Sequence, residues 1–352
     1  MKGRVILLDE IAGRRAAALM VDGRLEDLLI DPPESAPPGP GAIYRARVDR
    51  QMKGQGGVIL QLGDGQRGFL RQARGLTPGQ SLLVQVNSYA EPGKAPPVTT
   101  RLLFKSRYAI VTPGAPGLNV ARSIRDEAER DRLLEIAHAA RAEMDAALGL
   151  ILRSACAGVD GDAIAEDIGT MTDLARKIMA EDGAGAGAPA PLLDAPDAEL
   201  LAWRDWADPD PDAVIDEAGA FVAHGVLDEI AALADPVVAL RGGFSMAVEP
   251  TRALVAVDVN TGGDTSPAAG LKANLAALRA LPRQLRLRGL GGQVVLDLAP
   301  SPKKDRRQIE QAARGALRTD PVETALVGWT PLGHLELQRK RERLPLKEAL
   351  PG

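Results

Sequence analysis

Two short apolar runs in the last third of the chain, ALVAVDVN (253–260) and GQVVLDL (292–298), each end on an aspartate, with a helical stretch between them. Strand–helix–strand order of this kind predicts an α/β sheet, and in such sheets ligands collect at the carboxyl ends of the strands. If the two strands are neighbours, Asp258 and Asp297 can share one divalent cation. Asn260 falls on the same side of its strand as Asp258 by the two-residue repeat, where its carboxamide can fix that carboxylate. Hard oxygen donors without Cys or His suit Mg²⁺, or Mn²⁺, and not zinc. Such a cation polarises a phosphoryl oxygen and activates water. The other use of a strand-end Asp is to cap the following turn, and the residues alone leave both uses open.

Other chemistries find less support. DVNTGGDTS is not an EF-hand loop, because Gly262 occupies its fifth position and Ala269 its twelfth. No GxxxxGK[ST] is present. His138, His224 and His334 are scattered and Cys156 is the single cysteine, so a Ser/Cys–His nucleophile has little to build from. One cysteine also excludes an internal disulfide framework and a Cys-based zinc cluster, and fits a reducing compartment. MKGRVILLDE is too short and polar for a signal peptide, and no apolar run reaches about 18 residues, so a cytoplasmic protein without a membrane span is expected. The formal net charge of −4 means that any polyanion must be met locally. The basic residues are suitably concentrated: Arg283, Arg286 and Arg288, then Lys303, Lys304, Arg306 and Arg307, then Arg339, Lys340, Arg341 and Arg343. For 303–307 a solvated helix face is the plainer reading.

At 352 residues two or three domains are expected. Residues 1–35 read as strands with a VDGR hairpin turn, ended by PPESAPPGPG. Residues 41–105 read as five short strands between Gly-rich turns, a pattern suited to a small barrel of the OB type. Phe69, Tyr44 and Lys94 are its candidates for gripping a single strand, against the alternative that the aromatics are core. The region 111–175 turns helical, and GLILRSACAG is a strand ending on Arg153 and Ser154, a pair able to cradle a phosphate or to make a salt bridge. GAGAGAPAP (183–191) reads as a flexible connector. Trp203 and Trp206 share a helical face, 271–290 reads as a helix interrupted by Pro282, and the helix after Lys303 turns Ile309, Ala312, Ala313 and Leu317 inward.

Taken together, VAVDVNTGG, Asn274 in LKANLAAL, RQLRLRGLGG and QVVLDL resemble the catalytic core of the ribonuclease E/G family. GHLELQRKR is similar to that family's Gly-Leu-x-Glu-x-x-Arg-Lys-Arg segment, and MVDGRLEDLLID, AIYRARV, RGFL and KAPPVTT to its opening strands and embedded OB domain. The resemblance implies a mixed α+β and α/β multidomain fold. An RNase H-like region (1–35 plus about 176–237) would carry an inserted OB-fold barrel (36–110) and a 5′-sensor region (111–175), followed by a DNase I-like α/β catalytic domain (238–352).

It further implies an endoribonuclease acting on single-stranded RNA and leaving 5′-phosphate ends. Asp258 and Asp297 would hold Mg²⁺ and Asn260 would orient Asp258. Phe69, Lys94, Arg283, Arg288, Arg339, Lys340 and Arg341 would grip RNA, and Arg153 with Ser154 would sense a 5′-phosphate. Against the family pattern, Ile59 replaces a second aromatic, Pro300 replaces an acid, the loop after Asn260 is short, and GAPGLNV matches the sensor loop poorly. The chain stops before the family's Cys-x-x-Cys link, so a zinc-linked dimer is not expected. These departures motivate a second reading, an RNA-binding protein on the same scaffold with little cleavage.

Overall fold

In the computed structural model, which describes residues 3–52, 54, 56–71, 74–181 and 187–350, the chain opens as an antiparallel meander. It comprises β1 (Arg4–Ile11), β2 (Arg14–Val21) and β3 (Arg24–Ile30). The two turns, Ala12-Gly13 and Asp22-Gly23, have positive φ at both residues, the conformation whose twist matches a tight hairpin. The expected VDGR turn is therefore present.

Residues 34–213 then form a unit of their own. Strands β4 (Ile43–Met52), β5 (Gly57–Gly63), β6 (Gln66–Arg71), β7 (Ser81–Val86) and β8 (Pro97–Thr99) close into a five-strand barrel of OB-like form. Closure follows because β7 pairs β8 on one side and β4 on the other. Alternate residues such as Val58, Leu60 and Leu62 point inward on to Val48, Val84 and Val98. A second sheet combines β9 (Phe104–Lys105), β10 (Ala109–Pro113), β11 (Gly117–Val120) and β12 (Leu148–Leu152). It packs against α1 (Glu127–Ala142) and α2 (Gly161–Ala180), whose N-termini are capped by the Asp126 and Asp160 carboxylates.

Two expectations change here. Of the connector, residues 183–186 lie outside the described residues, and its end is not a linker but part of β13 (Ala190–Leu193), which pairs with β4. In α3 (Ala198–Trp206), Trp206 is buried while Trp203 is 38% exposed, so the two indoles do not share one environment.

The remaining residues return to the first unit, which joins 1–33 with 214–352. Strand β14 (Ala213–Asp216) extends the opening sheet beyond β1, and α4 (Ala220–Ala223) and α5 (Val226–Ala232) give it Phe221, Val226 and Ile230 as core. The residues that rejoin the opening sheet start near 214, and α2 and α3 lie in the other unit.

The last sheet has the order β15-β16-β17-β18-β20-β19. Its strands are β15 (Val237–Leu240), β16 (Phe244–Pro250), β17 (Val255–Asn260), β18 (Gly292–Asp297), β19 (Thr324–Trp329) and β20 (Leu335–Arg339). Strands β17 and β18 are parallel, joined by α6 (Ala269–Leu287); α7 (Arg306–Thr319) and α8 (Leu346–Ala349) follow. Val255, Val257, Val259, Val294, Leu296, Leu335 and Leu337 face one side, against Ala277, Leu281 and Leu285 of α6 and Ile309 and Ala313 of α7. Pro282 does not interrupt α6. It forfeits one backbone donor, yet its ring is buried and the helix runs five residues further.

Candidate active site

Strand alternation that buries the valines of β17 puts Asp258 and Asn260 on the opposite, exposed face. Leu296 is buried in β18, so Asp297 falls on that same face. In the parallel register Asp258 is the direct partner of Asp297, and residues paired across adjacent strands project to the same side. The condition set by the sequence is met: the two acids are neighbours. Asn260 donates from Nδ2 to Asp258 Oδ2 at 2.6 Å.

The loop leaving Asp297 is held from below. Asn274, buried on α6, donates to the Ala299 carbonyl and accepts from its N–H, both at 2.9 Å. Gly270 lies so close to Pro300 that a Cβ would stand 2.0 Å from the Pro300 carbonyl oxygen. Helix α6 therefore sets the backbone on which Asp297 sits.

A further side chain joins the row. Leu335 pairs with Leu296 in the antiparallel register of β18 and β20, so His334 stands across from Asp297, with Nε2 3.8 Å from Oδ1. Sequence reasoning passed over it because three isolated histidines share no spacing. The available signal was its place at the head of the strand LELQR.

The donor set fits a hard divalent cation, with two carboxylates in one row and no sulfur. Among the described residues no group of three or more His, Cys, Asp or Glu is gathered to hold a metal. A cation on the Asp258–Asp297 pair would then keep most of its shell as water or substrate oxygen, the usual habit of Mg²⁺.

In the barrel, Phe69 is half-buried on the outer face of β6 between exposed Arg67 and Arg71. Its ring covers Gly57, where a Cβ would lie 2.6 Å from the ring, and its strand neighbour is Ile59, which in turn faces exposed Arg50 on β4. Phe69 is thus a surface aromatic in a basic setting. The three arginines were missed, although R-x-F-x-R is a two-residue repeat. Tyr44 packs on the barrel core instead. Burial, with Asp194 and Asp64 adding to it, raises its phenol. Lys94 is exposed and pairs with Glu91.

Five of the eleven basic residues are turned to protein partners, and Arg283, Arg288 and Arg339, expected to grip RNA, are among them. Arg339 is 1% exposed and donates to Asp320 and Thr324. Arg286, also buried, reaches Asp320 at 2.9 Å and Glu26 at 2.7 Å. Arg288 bonds Gln284 and the Asp235 carbonyl, and Arg283 the Leu25 carbonyl. Arg343 pairs with buried Asp27. Burial alone would raise the Asp27 carboxyl, but Arg343 and Arg286 hold it below its usual range. Arg283 and Arg286 of α6, and Arg343, thus reach β3 at Leu25, Glu26 and Asp27, whereas Arg288 and Arg339 do not. Lys340 is half-buried and pairs with Glu342 at 3.1 Å, and Arg341 lies against Gly292. Lys303, Lys304 and Arg307, beyond the end of β18, are exposed.

Arg153 takes the salt-bridge alternative. Its Nη2 donates to Asp205 Oδ1 at 2.7 Å and its Nη1 to the carbonyls of Ser106, Arg107 and Arg204. Lys105 and Arg204 bind the same carboxylate. Burial pushes the Asp205 carboxyl up, yet these three cations keep it far below the ordinary range. Both terminal nitrogens of Arg153, the residue expected to sense a 5′-phosphate, are thus engaged by protein partners. Ser154 beside it is exposed. Among the described residues no helix is long and apolar enough to cross a membrane.

The sequence profile of the Ribonuclease E/G family matches residues 104–221 and 214–342. Ribonuclease G of Salmonella typhimurium (strain SL1344) and of Escherichia coli (strain K12) are each 28% identical over 372 residues, covering 88% of this chain and 74% of theirs. Ribonuclease E of Nostoc sp. (strain PCC 7120) is 28% identical over 355 residues, 86% of this chain and 51% of its own. The matched span holds the paired aspartates, Asn260 and the Asn274 lock, and with two thirds of its length inside that profile the chain belongs to the Ribonuclease E/G family.

Proposed function

We propose that this protein is a Mg²⁺-dependent endoribonuclease that cuts single-stranded RNA and leaves 5′-phosphate and 3′-hydroxyl ends. The single observation that carries this reading is the in-register pairing of Asp258 with Asp297 on an exposed sheet face. Asp258 and Asp297 would hold the ion, which when bound polarises the scissile phosphate and lowers the pKa of water. Asn260 keeps one Asp258 oxygen occupied and so would leave the other for the ion. Asn274 fixes Ala299 and hence the backbone behind Asp297. In-line attack of water with departure of the 3′-oxygen gives the stated ends. Phe69 would stack a base, with Arg50, Arg67, Arg71 and Lys94 meeting phosphates around it. Exposed Lys303, Lys304 and Arg307 replace the buried arginines as the phosphate contacts beyond the Asp297 end of β18, while Lys340 and Arg341 stand at its other end, by Gly292.

The test is cleavage of a short fluorescent single-stranded RNA with Mg²⁺ and with EDTA, beside a DNA of the same sequence. Asp297→Asn is expected to abolish cutting while RNA binding survives; parallel loss of binding would refute the metal-ligand assignment. RNA bound but uncut by the wild type would favour the non-cleaving scaffold, for which Pro300 in place of an acid speaks.

A further inference from the structure

Asp258 has an N–H donor of its own in Asn260. Asp297 has a counterpart on the strand to its other side. We propose that His334 is a positioning residue that orients Asp297 as Asn260 orients Asp258, which gives each carboxylate of the pair its own nitrogen donor. The inference rests on the two-carboxylate reading above.

Three observations carry it. The antiparallel register ends at Leu296 and Leu335, and continued by one residue on each side it brings His334 opposite Asp297, where directly opposed residues project on the same face. The backbone of His334 is pinned: its N–H donates to Thr330 Oγ1 at 3.0 Å, and its carbonyl accepts from Thr330 N–H at 2.9 Å. Gly333 makes this possible, since it bonds the Thr330 carbonyl with a φ of +97° that a side-chain-bearing residue resists. The imidazole is the less exposed partner, its side chain 34% exposed against 72% for Asp297. The 3.8 Å between Nε2 and Oδ1 closes to a hydrogen bond with a small side-chain rotation, or is bridged by one water. The neutral Nε2–H tautomer suffices, so no change of protonation is involved. His334 occupies the place that is leucine in the Gly-Leu-x-Glu segment it resembles, so this donor is a feature of this chain.

Outer partners of metal-binding carboxylates typically govern about 10–100-fold in metal affinity. The experiment compares His334→Leu, which removes the donor, with His334→Gln, which retains an N–H. Mn²⁺ and Mg²⁺ binding is measured by calorimetry, Mn²⁺ also by EPR, and melting in EDTA serves as a control. Expected are about 10–100-fold weaker metal binding in His334→Leu, recovery of most of it in His334→Gln, and unchanged melting in EDTA for both. Wild-type affinity in His334→Leu, equal weakness of the two variants, or nitrogen hyperfine coupling to bound Mn²⁺ (direct ligation) would each overturn the proposal. Asp258→Asn and Asp297→Asn run alongside. If these two keep wild-type metal affinity, the carboxylate-pair reading itself fails and takes this inference with it. If they lose affinity while His334→Leu does not, only the inference fails.

Discussion

Two carboxylates placed side by side on a sheet repel each other, and the register allows that cost to be worked out. Direct partners on adjacent strands stand about 4.8 Å apart, so the Asp258 and Asp297 charges lie roughly 5 Å from one another. Both are exposed, so the appropriate medium is water, where the repulsion is about 0.8 kcal/mol. A Debye length of about 8 Å at physiological ionic strength removes roughly half of it. Asp297→Asn removes one charge and keeps the shape. In EDTA at pH 8, above the ordinary histidine range, the variant is therefore expected to be more stable by about 0.4–0.8 kcal/mol, or ~1–3 °C in melting temperature. Mg²⁺ reverses the order. At a hundred times its dissociation constant the ion stabilises the wild type by about 2.7 kcal/mol and leaves the variant where it was. Differential scanning calorimetry with EDTA and with Mg²⁺ reads both arms. A variant that melts below wild type in EDTA, or that gains as much from Mg²⁺, would refute the reasoning.

Asp320→Asn, whose carboxylate is wholly buried between Arg286 and Arg339, should destabilise by about 3–5 kcal/mol, since two buried guanidiniums lose their counterion; urea unfolding within 1 kcal/mol of wild type, as the order-of-magnitude floor for breaking such a pair, would count against it. Phe69→Ala should weaken single-stranded RNA binding by about 1–3 kcal/mol, and Arg67→Ala with Arg71→Ala should lower the slope of log affinity against log salt by about 1.4, at ~0.7 per phosphate contact. Because Arg153 is committed to Asp205, RNAs with 5′-monophosphate and 5′-hydroxyl ends should be cut at equal rates, and a several-fold preference for the phosphate would restore the sensing role. Asp27 titrates below the ordinary range in the folded state, so its contribution to stability is present above about pH 4 and is lost as pH falls through that lowered value. Asp27→Asn should flatten this acid limb in pH-dependent denaturation, and an unchanged slope would contradict the pairing with Arg343.

The sequence made the paired-acid strands legible because both constraints there are local. A run of valines cut off by Asp tells which residues turn inward, and strand–helix–strand order brings the two ends together. Asn260 followed from the same repeat. The barrel was legible for a similar reason, as short alternating strands leave few other closures. What sequence could not give was long-range pairing. His334 reaches Asp297 only through the register of β20 on β18. Arg50 reaches Ile59 only across a bulge in β4.

The arginines show the same limit from the opposite side. Basic residues counted along a chain look like a surface for polyanions, because a buried guanidinium is costly without partners. Whether partners exist depends on residues far away: Asp320 for Arg339, Glu26 for Arg286, and Asp27, 316 positions from Arg343. Each of these acids is unremarkable in sequence, and each cancels a charge that would otherwise have been assigned to RNA. Charge that is free to meet a phosphate is what remains after this pairing. On this chain it sits on Arg50, Arg67 and Arg71 beside Phe69 and on Lys303, Lys304 and Arg307 beyond Asp297, residues that local pattern alone ranked below the RQLRLR and QRKR runs.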